Sequence, residues 1–211
     1  MHHDDFKFEP VPGLPEALPK DEHILWQGRP DSLRLAKDAW KLNWVLAYFV
    51  FLAVARVAAS AQSVPLTTAM GHGIPLLLTG MLAGAILIVM ATVQARSTIY
   101  TLTNKRVAMR IGAALTMTLN LPYTQIRNAE LMLHRSGKGT IAFELLDDTR
   151  FSYLMTWPHT RPWRFAQTQP ALRSIPNAKA IAALFAEAAE ARVSEPKITR
   201  ATPEPDAIAA E

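Results

Sequence analysis

The chain has 211 residues and a mass of 23.3 kDa, enough for one modest soluble domain and a short membrane-spanning region. It contains no cysteine, which excludes disulfides, thiol nucleophiles and thiolate metal ligands. The formal net charge of +4 and the pI near 9.5 could indicate a nucleic-acid partner. Much of the positive charge, however, flanks two apolar segments, where membrane topology and anionic lipids account for it. We therefore expect membrane lipids as partners and no nucleic acid.

The first 41 residues precede any long apolar segment. Residues 1–22 contain four prolines, which fix backbone angles and remove donors, so this part is predicted to be an extended or disordered arm. Residues 23–41 are predicted to form a cytoplasmic strand, in the run HILWQGRP, followed by an interfacial helix over residues 32–43. Trp40, Lys41 and Trp44 at the end of this helix suit the headgroup layer.

Residues 42–93 are predicted to form a transmembrane hairpin with spans at 42–61 and 74–93. The second span holds 20 residues without an ionisable side chain, which matches a hydrocarbon core about 30 Å thick. The uncharged run of the first span stops at Ala55, and so short a run could also be a buried core helix. Because the second span follows so closely, we favour a membrane-spanning helix over a buried core helix for the first span. Residues 62–73, with Pro65 and Gly71, are expected to turn the chain back.

Lysine and arginine side chains orient the hairpin. None lies between residues 57 and 73, whereas both flanks are basic. By the positive-inside rule both termini are cytoplasmic and the connection faces outward. The basic flanking residues are Arg29, Arg34, Lys37 and Lys41 before the first span and Arg96, Lys105, Arg106 and Arg110 after the second. We expect Lys41, Arg96, Lys105, Arg106 and Arg110 to lie at the membrane surface with Trp40 and Trp44.

Two features of the predicted spans, a pair of small residues and a charged side chain, require specific surroundings. Gly80 and Gly84 form a GxxxG motif, which permits close helix approach. These two glycines are expected to contact either an alanine of the same hairpin or another membrane protein, which could be a second copy of this chain. The alanines considered are Ala47, Ala55 and Ala59. Arg56 is costly in a span unless it snorkels or is paired, and it lies about 18 Å along the helix from Trp44, so we expect it to reach the outer headgroups.

Residues 94–192 alternate between apolar and polar side chains in short runs separated by turn residues. The pattern predicts strands near 98–102, 107–111, 115–121, 126–133, 140–145 and 150–157, in a meandering antiparallel sheet or small barrel. Pro170 is expected to open a short helix capped by Thr168.

The end of this region has a second helical signal. Asn177 is predicted to cap a helix that bears an apolar stripe packed at one end of the barrel. The stripe consists of Ile181, Leu184, Phe185 and Ala188. Residues 193–211 are rich in proline and charge, and are predicted to be a disordered tail.

Motifs for chemistry are missing from the sequence. It has no dinucleotide, metalloprotease or nucleophile-elbow motif, and GKGT at 137–140 lacks the upstream glycine of a phosphate-binding loop. No catalytic, cofactor-binding or metal-binding residue is therefore predicted. His72, at the outer mouth of the second span, is the one histidine placed to ligate a membrane pigment's metal, although a loop histidine is the favoured interpretation.

Several stretches carry a resemblance to known proteins. ILWQGRP ahead of a two-helix hairpin, followed by STIYTLTNKRVAMRIG, LPYTQI and GKGTIAFEL, resembles the bacterial PH-like domains attached to membrane hairpins. Over residues 1–192, including MHHDDFKFEP and SYLMTWPHTRPW, the chain is similar to the photosynthetic complex assembly proteins of purple bacteria. The resemblance implies a PH-like β domain, membrane α+β in class, with the C-terminal helix as its cap.

The same resemblance implies a function. We expect a non-enzymatic adaptor in the bacterial inner membrane, cytoplasmic or intracytoplasmic, that helps to build the reaction centre and the surrounding light-harvesting 1 ring. Its expected partners are subunits of these complexes or other assembly factors. Two alternatives stay open: a pigment or lipid carrier that uses His72 or Arg56, and a general PH-like envelope protein, which a gene neighbourhood without photosynthesis genes would favour.

Overall fold

The computed structural model describes residues 11–113, 115–146 and 151–194. The start of the predicted arm, the predicted turn at Asp147 and all but the first two residues of the predicted tail lie outside the described residues. The elements in chain order are β1 (Ile24–Gly28), α1 (Ser32–Asp38), α2 (Leu42–Ser60), α3 (Leu66–Ser97), β2 (Ile99–Thr103), β3 (Arg106–Ile111), β4 (Met117–Pro122), β5 (Ile126–Leu133), β6 (Gly139–Leu145), α4 (Tyr153–Thr156), β7 (Ala171–Ile175) and α5 (Ala178–Val193).

The strands form two antiparallel sheets. The first has the order β1-β2-β3-β4 and the second the order β5-β6-β7. β1 pairs directly with β2, Ile24 opposite Thr103 and Gly28 opposite Tyr100, although α1, α2 and α3 lie between them in the chain. The helices are thus inserted between two neighbouring strands, and both ends of the insertion are held by one sheet.

One hydrophobic core joins the two sheets and α5. It contains Leu102 and Val107 of the first sheet, Ile141 and Phe143 of the second, and Phe185 of α5, among others. The Phe185 ring lies 5.1 Å from the Phe143 ring and 5.4 Å from the Tyr123 ring, in the tilted and edge-to-face geometries that aromatic pairs favour. The amphipathic helix α5 and the two sheets therefore bury their apolar faces against each other.

The apolar stripe of α5 differs in one position from the prediction. Ile181, Phe185 and Ala188 are buried, whereas Leu184 is 36% exposed, because it lies on the outer edge of the stripe. The helix begins at Ala178, directly after the predicted cap residue. Asn177 itself has a left-handed backbone, with φ of 50°, and its side chain makes no capping hydrogen bond.

The two long helices are apolar and long enough to cross a membrane. α2 matches the predicted first span, but α3 begins at Leu66 and is 32 residues long, so the predicted turn over residues 62–73 is too long. Gly71 and Pro75 are both accommodated in the helix. The reason is packing against α2: Ala69 and Gly73 are buried, and a Cβ on Gly73 would lie 2.9 Å from Val57. At about 1.5 Å per residue α3 is also longer than a hydrocarbon core requires.

Two predicted elements of the β domain are wrong. The segment predicted as a strand at 150–157 contains the single helical turn α4, in which Thr156 Oγ1 donates to the Ser152 carbonyl at 2.8 Å. The predicted helix opened by Pro170 is instead β7, because Leu172 pairs with Ile141 of β6 and Phe143 donates its N–H to the Pro170 carbonyl. Pairing with a distant strand outweighs the local helix signal.

The N-terminal elements are more closely packed than predicted. α1 ends at Asp38 rather than Asn43, since Lys41 adopts a left-handed backbone with φ of 55° and separates α1 from α2. Residues 11–22 of the predicted free arm lie against the first sheet. Leu14 is buried, and Gln27 Nε2 donates to the Pro12 carbonyl at 2.8 Å.

Candidate functional site

The helix-contact glycines face α2. A Cβ built on Gly80 would lie 2.6 Å from Phe49 Cβ, and one on Gly84 would lie 2.9 Å from Leu46. Both glycines are buried in the helix pair. The expected alanine partners Ala47, Ala55 and Ala59 are instead exposed. They lie on other faces of α2, so this part of the prediction is corrected: the glycines accommodate large side chains rather than small ones.

Arg56 and His72, the two residues considered for binding a membrane pigment, have different surroundings. Arg56 is exposed on α2, a position open to the snorkelling predicted for it. His72 lies in the first turns of α3 rather than in a loop, and its Nδ1 is 2.9 Å from Ser60 Oγ at the end of α2. This hydrogen bond joins the end of α2 to the beginning of α3.

The aromatic residues at the start of the hairpin have different environments. Trp44, in the first turn of α2, is 76% exposed. Trp40 is half-buried and packs edge-to-face on Trp157, with ring centroids 4.7 Å apart. Lys41, between them, is exposed. Trp44 and Lys41 thus remain available to a headgroup layer, whereas Trp40 is part of the contact between α1, the hairpin and the β domain.

The basic residues after the second span are spread over the first sheet. Arg96 is exposed in the last turn of α3. Lys105 and Arg106 lie at the opposite end of β2, roughly 15 Å away at 3.3 Å per strand residue, and Arg106 Nε donates to Glu22 at 2.8 Å. Arg110 is only 4% exposed. It lies opposite Ile99, next to the end of α3, and lines a cavity together with Arg96. The geometry therefore argues against the predicted membrane-surface role for Lys105 and Arg106, and leaves it as a prediction for Arg96 and Arg110.

A buried polar network joins α3 to both sheets. His159 Nδ1 lies 2.5 Å from Tyr100 Oη and His159 Nε2 lies 3.0 Å from Thr98 Oγ1. Thr98 Oγ1 also lies 2.8 Å from the Gln94 carbonyl in α3, and the backbone N–H of Arg173 in β7 donates to Tyr100 Oη. This arrangement fits a neutral histidine that accepts at Nδ1 and donates from Nε2.

Burial determines the charge state of this network. Removal from water, helped by the nearby Arg173 guanidinium, lowers the pKa of His159 to about 3. Burial also raises the pKa of the Tyr100 hydroxyl and lowers the pKa of the Arg173 guanidinium. His159 is therefore uncharged at neutral pH, and its hydrogen bonds form a junction between α3 and the β domain.

Sequence reasoning did not find this junction. No role was predicted for His159 or Arg173 from the sequence, because the partners of His159 are about 60 residues away in the chain. The polar Thr98 and Tyr100 directly after a long apolar helix were the one available signal. No side-chain cluster of histidine, aspartate or glutamate that could hold a metal occurs in residues 11–113, 115–146 and 151–194.

Comparisons with known proteins place the chain in a family. The model of the family described as Bacterial PH domain matches residues 45–189, from the first turns of α2 to the last turns of α5. The chain is 43% identical over 206 residues to an uncharacterized 23.7 kDa protein in the puhA 5′ region of Rhodobacter capsulatus, with 95% of each chain covered. No solved structure matches. With more than half of its length matched, and with antiparallel sheets and a hairpin in place, the chain belongs to the bacterial PH domain family.

Proposed function

We propose that this protein is a non-enzymatic membrane adaptor for assembly of the photosynthetic reaction centre and the light-harvesting 1 complex, of the type represented by the PuhB family. The observation that carries the proposal is the near full-length similarity to a protein of the puhA region, because that gene neighbourhood suggests a photosynthetic membrane. The similarity of the sequence to photosynthetic assembly proteins supports the same role.

The architecture is consistent with an adaptor. Bacterial PH domains are generally non-catalytic, and the core shared by the two sheets and α5 supports a PH-like barrel capped by that helix. The hairpin is joined to the barrel through the first sheet and the His159 network. A partner held by either part would therefore be held at a defined distance and orientation from the membrane.

We infer a location in the bacterial inner membrane with both termini cytoplasmic, supported by the asymmetry of lysine and arginine. Because the chain has no cysteine, single cysteines test this directly. A cysteine at Ser63, in the connection between α2 and α3, should react with an impermeant thiol reagent from outside, and a cysteine at Asn104 should react only after permeabilisation. The reverse pattern would contradict the inferred topology.

Deletion of the gene tests the assembly role. We expect pigment synthesis to continue while the amount of assembled reaction centre falls, and restoration of the full chain should restore assembly. Accumulation of a pigment precursor would replace the adaptor proposal with an enzymatic one. The purified protein should also be colourless, and a bound chlorophyll-type chromophore would instead favour the carrier alternative with His72 or Arg56.

A further inference from the structure

A cavity of about 520 Å³ opens beside the start of the hairpin. One wall is formed by α1 and the first turn of α2, and the opposite wall by β5 and the loop that follows His159. Trp44 and Trp163 line it from the two sides, and they are 76% and 79% exposed. Leu131 and Met132, also partly exposed, add apolar surface. Since Trp44 belongs to the first turn of α2, the mouth lies where the chain would enter a bilayer.

The cavity has an excess of positive charge. Five cationic side chains and two carboxylates line it. Both carboxylates are already paired: Asp38 with Arg34 at 2.8 Å, and Glu130 with Arg161 at 2.7 Å. The remaining cationic residues are Lys37, Lys41 and Arg173. Lys37 and Lys41 are exposed at the mouth, so the unbalanced charge faces the opening.

Arg173 supplies a buried cation at this cavity. It is 6% exposed, and its Nη1 donates to the Pro158 carbonyl at 3.1 Å. Its Nε is buried and has no hydrogen-bond partner among the described residues. A buried guanidinium donor without an acceptor is costly, and an oxygen of a bound anion would offset that cost with a charge-assisted hydrogen bond.

We propose that this cavity binds the phosphate-bearing headgroup of an anionic phospholipid. Arg173 holds the phosphate at the inner end, Lys37 and Lys41 attract it at the mouth, and Trp44 and Trp163 lie in the headgroup layer. A basic pocket next to a transmembrane helix is a known form of lipid-headgroup site, and tryptophans favour this depth. The proposal rests on the membrane anchoring inferred above and not on the assembly role.

The test uses the full chain in bilayer discs of phosphatidylcholine and phosphatidylglycerol, with retained lipids counted by native mass spectrometry. The variant Lys37→Gln/Lys41→Gln removes two exposed charges at the mouth. Lys20→Gln/Lys179→Gln is the matched control, because both lysines are exposed and neither lines the cavity. We expect preferential retention of phosphatidylglycerol by the unchanged chain and the control. Retention should fall by about five-fold per lysine removed at the mouth.

A second variant tests the inner end of the cavity, where Arg173 lies. Arg173→Gln should lower retention further, and its thermal unfolding shows whether it is folded. If it does not fold, the lysine variants still decide the question. Equal retention by the mouth variant and its control would overturn the proposal.

Two further measurements identify the ligand and the place. A phosphatidylglycerol carrying a photoreactive headgroup should crosslink to peptides that contain residues 37–44 and 161–173, and crosslinks elsewhere would contradict the site. Inorganic phosphate at the same concentration should compete weakly with short-chain phosphatidylglycerol. If phosphate displaced the lipid completely, the site would be one for a soluble anion, and the assignment to a membrane lipid would fail.

Discussion

The hairpin and the β domain use the same apolar residue types in opposite ways. Phe51 of α2 is 67% exposed, whereas Phe143 of β6 is fully buried. Along the two long helices most apolar side chains point outward, while in the β domain they converge on one core. A hairpin in lipid needs internal contacts only along one narrow face, since the solvent itself is apolar. The β domain must bury its apolar surface against itself to fold in water.

The two regions also differ in how far apart their contacts lie in the chain. α2 and α3 are joined by residues 61–65 alone, so their packing follows from a short connection. In the first sheet, Ile24 pairs with Thr103 across the entire hairpin. The packing of the hairpin therefore depends on segments close in the chain, whereas the pairing in the first sheet depends on distant ones, and each prediction below tests one side of this contrast.

The largest expected effect comes from replacing a phenylalanine by alanine, and we expect it in the β domain but not in the hairpin. Phe143→Ala should lower the free energy of unfolding by about 3–5 kcal/mol, because it removes a buried ring and leaves a cavity. Phe51→Ala should change it by less than about 0.5 kcal/mol, as for other surface sites. Thermal unfolding of the full chain in a mild detergent, followed by near-ultraviolet circular dichroism, measures both. Similar losses would mean that the outer face of α2 is covered.

Gly80→Leu tests the contact face of the hairpin. A side chain there must displace Phe49, so we expect a loss of about 1–3 kcal/mol from overpacking. Gly71→Leu is the matched control, since nothing lies within 4 Å of a Cβ at that position. Yield and thermal unfolding report the difference. If Gly80→Leu left stability unchanged but reduced co-purification of a membrane partner, the glycine face would contact that partner instead of α2.

The His159 junction predicts a dependence on pH. The unfolded chain takes up a proton near the ordinary histidine pKa of 6.5, whereas the folded chain does so only near pH 3. The free energy of unfolding should therefore be independent of this group above about pH 7. It should fall as pH drops through 6.5, by up to about 1.4 kcal/mol per pH unit and so about 2 kcal/mol by pH 5.

Two variants isolate this effect. His159→Gln should reduce the slope of stability against pH between 6.5 and 5, while His23→Gln, at an exposed position, should leave it unchanged. Chemical unfolding at several pH values provides the slopes. An unchanged slope in His159→Gln would assign the pH dependence to other groups.

The smallest effect concerns the N-terminal residues that lie on the first sheet. Glu22 is nearly buried and accepts hydrogen bonds from Arg106 Nε and Thr103 Oγ1, both at 2.8 Å. Glu22→Gln should lower the free energy of unfolding by about 1 kcal/mol, because hydrogen bonds to a charged group are weakened. Glu16→Gln, at an exposed position, is the control. Equal stability of the two variants would show that these residues are bound only loosely.

Much of the fold followed from local pattern. The positions of β3, β4, β5 and β6, the position of α2 and the start of α5 were predicted within a few residues, since side-chain period and turn residues act locally. β7 and α4 were not, because Leu172 becomes a strand residue only through its pairing with β6. The start of α3 was missed because Gly71 and Pro75 indicate a turn locally, while packing on α2 keeps the helix intact.

Some residues of the candidate site could likewise be predicted from the sequence, and others could not. The basic flanks and Trp44 could be recognised from sequence, as they depend on distance along the chain from an apolar span. The Arg173 cavity and the His159 network could not, because they unite residues of α1, α2, α3, β2, β5 and β7. Nothing in the local pattern separates the buried Arg110 from the exposed Arg96.

By itself, the sequence determined that the chain carries two membrane-length helices, a β-rich region and an amphipathic C-terminal helix, because hydrophobic runs and periods of 2 and 3.6 residues are local properties. The tertiary structure alone decided that β1 and β2 are neighbours, that the hairpin is inserted between them, and that Arg173 reaches a cavity beside Trp44. The physical reason is that a buried polar group acquires its partners from segments distant in the chain, and only the packed fold specifies which segments meet.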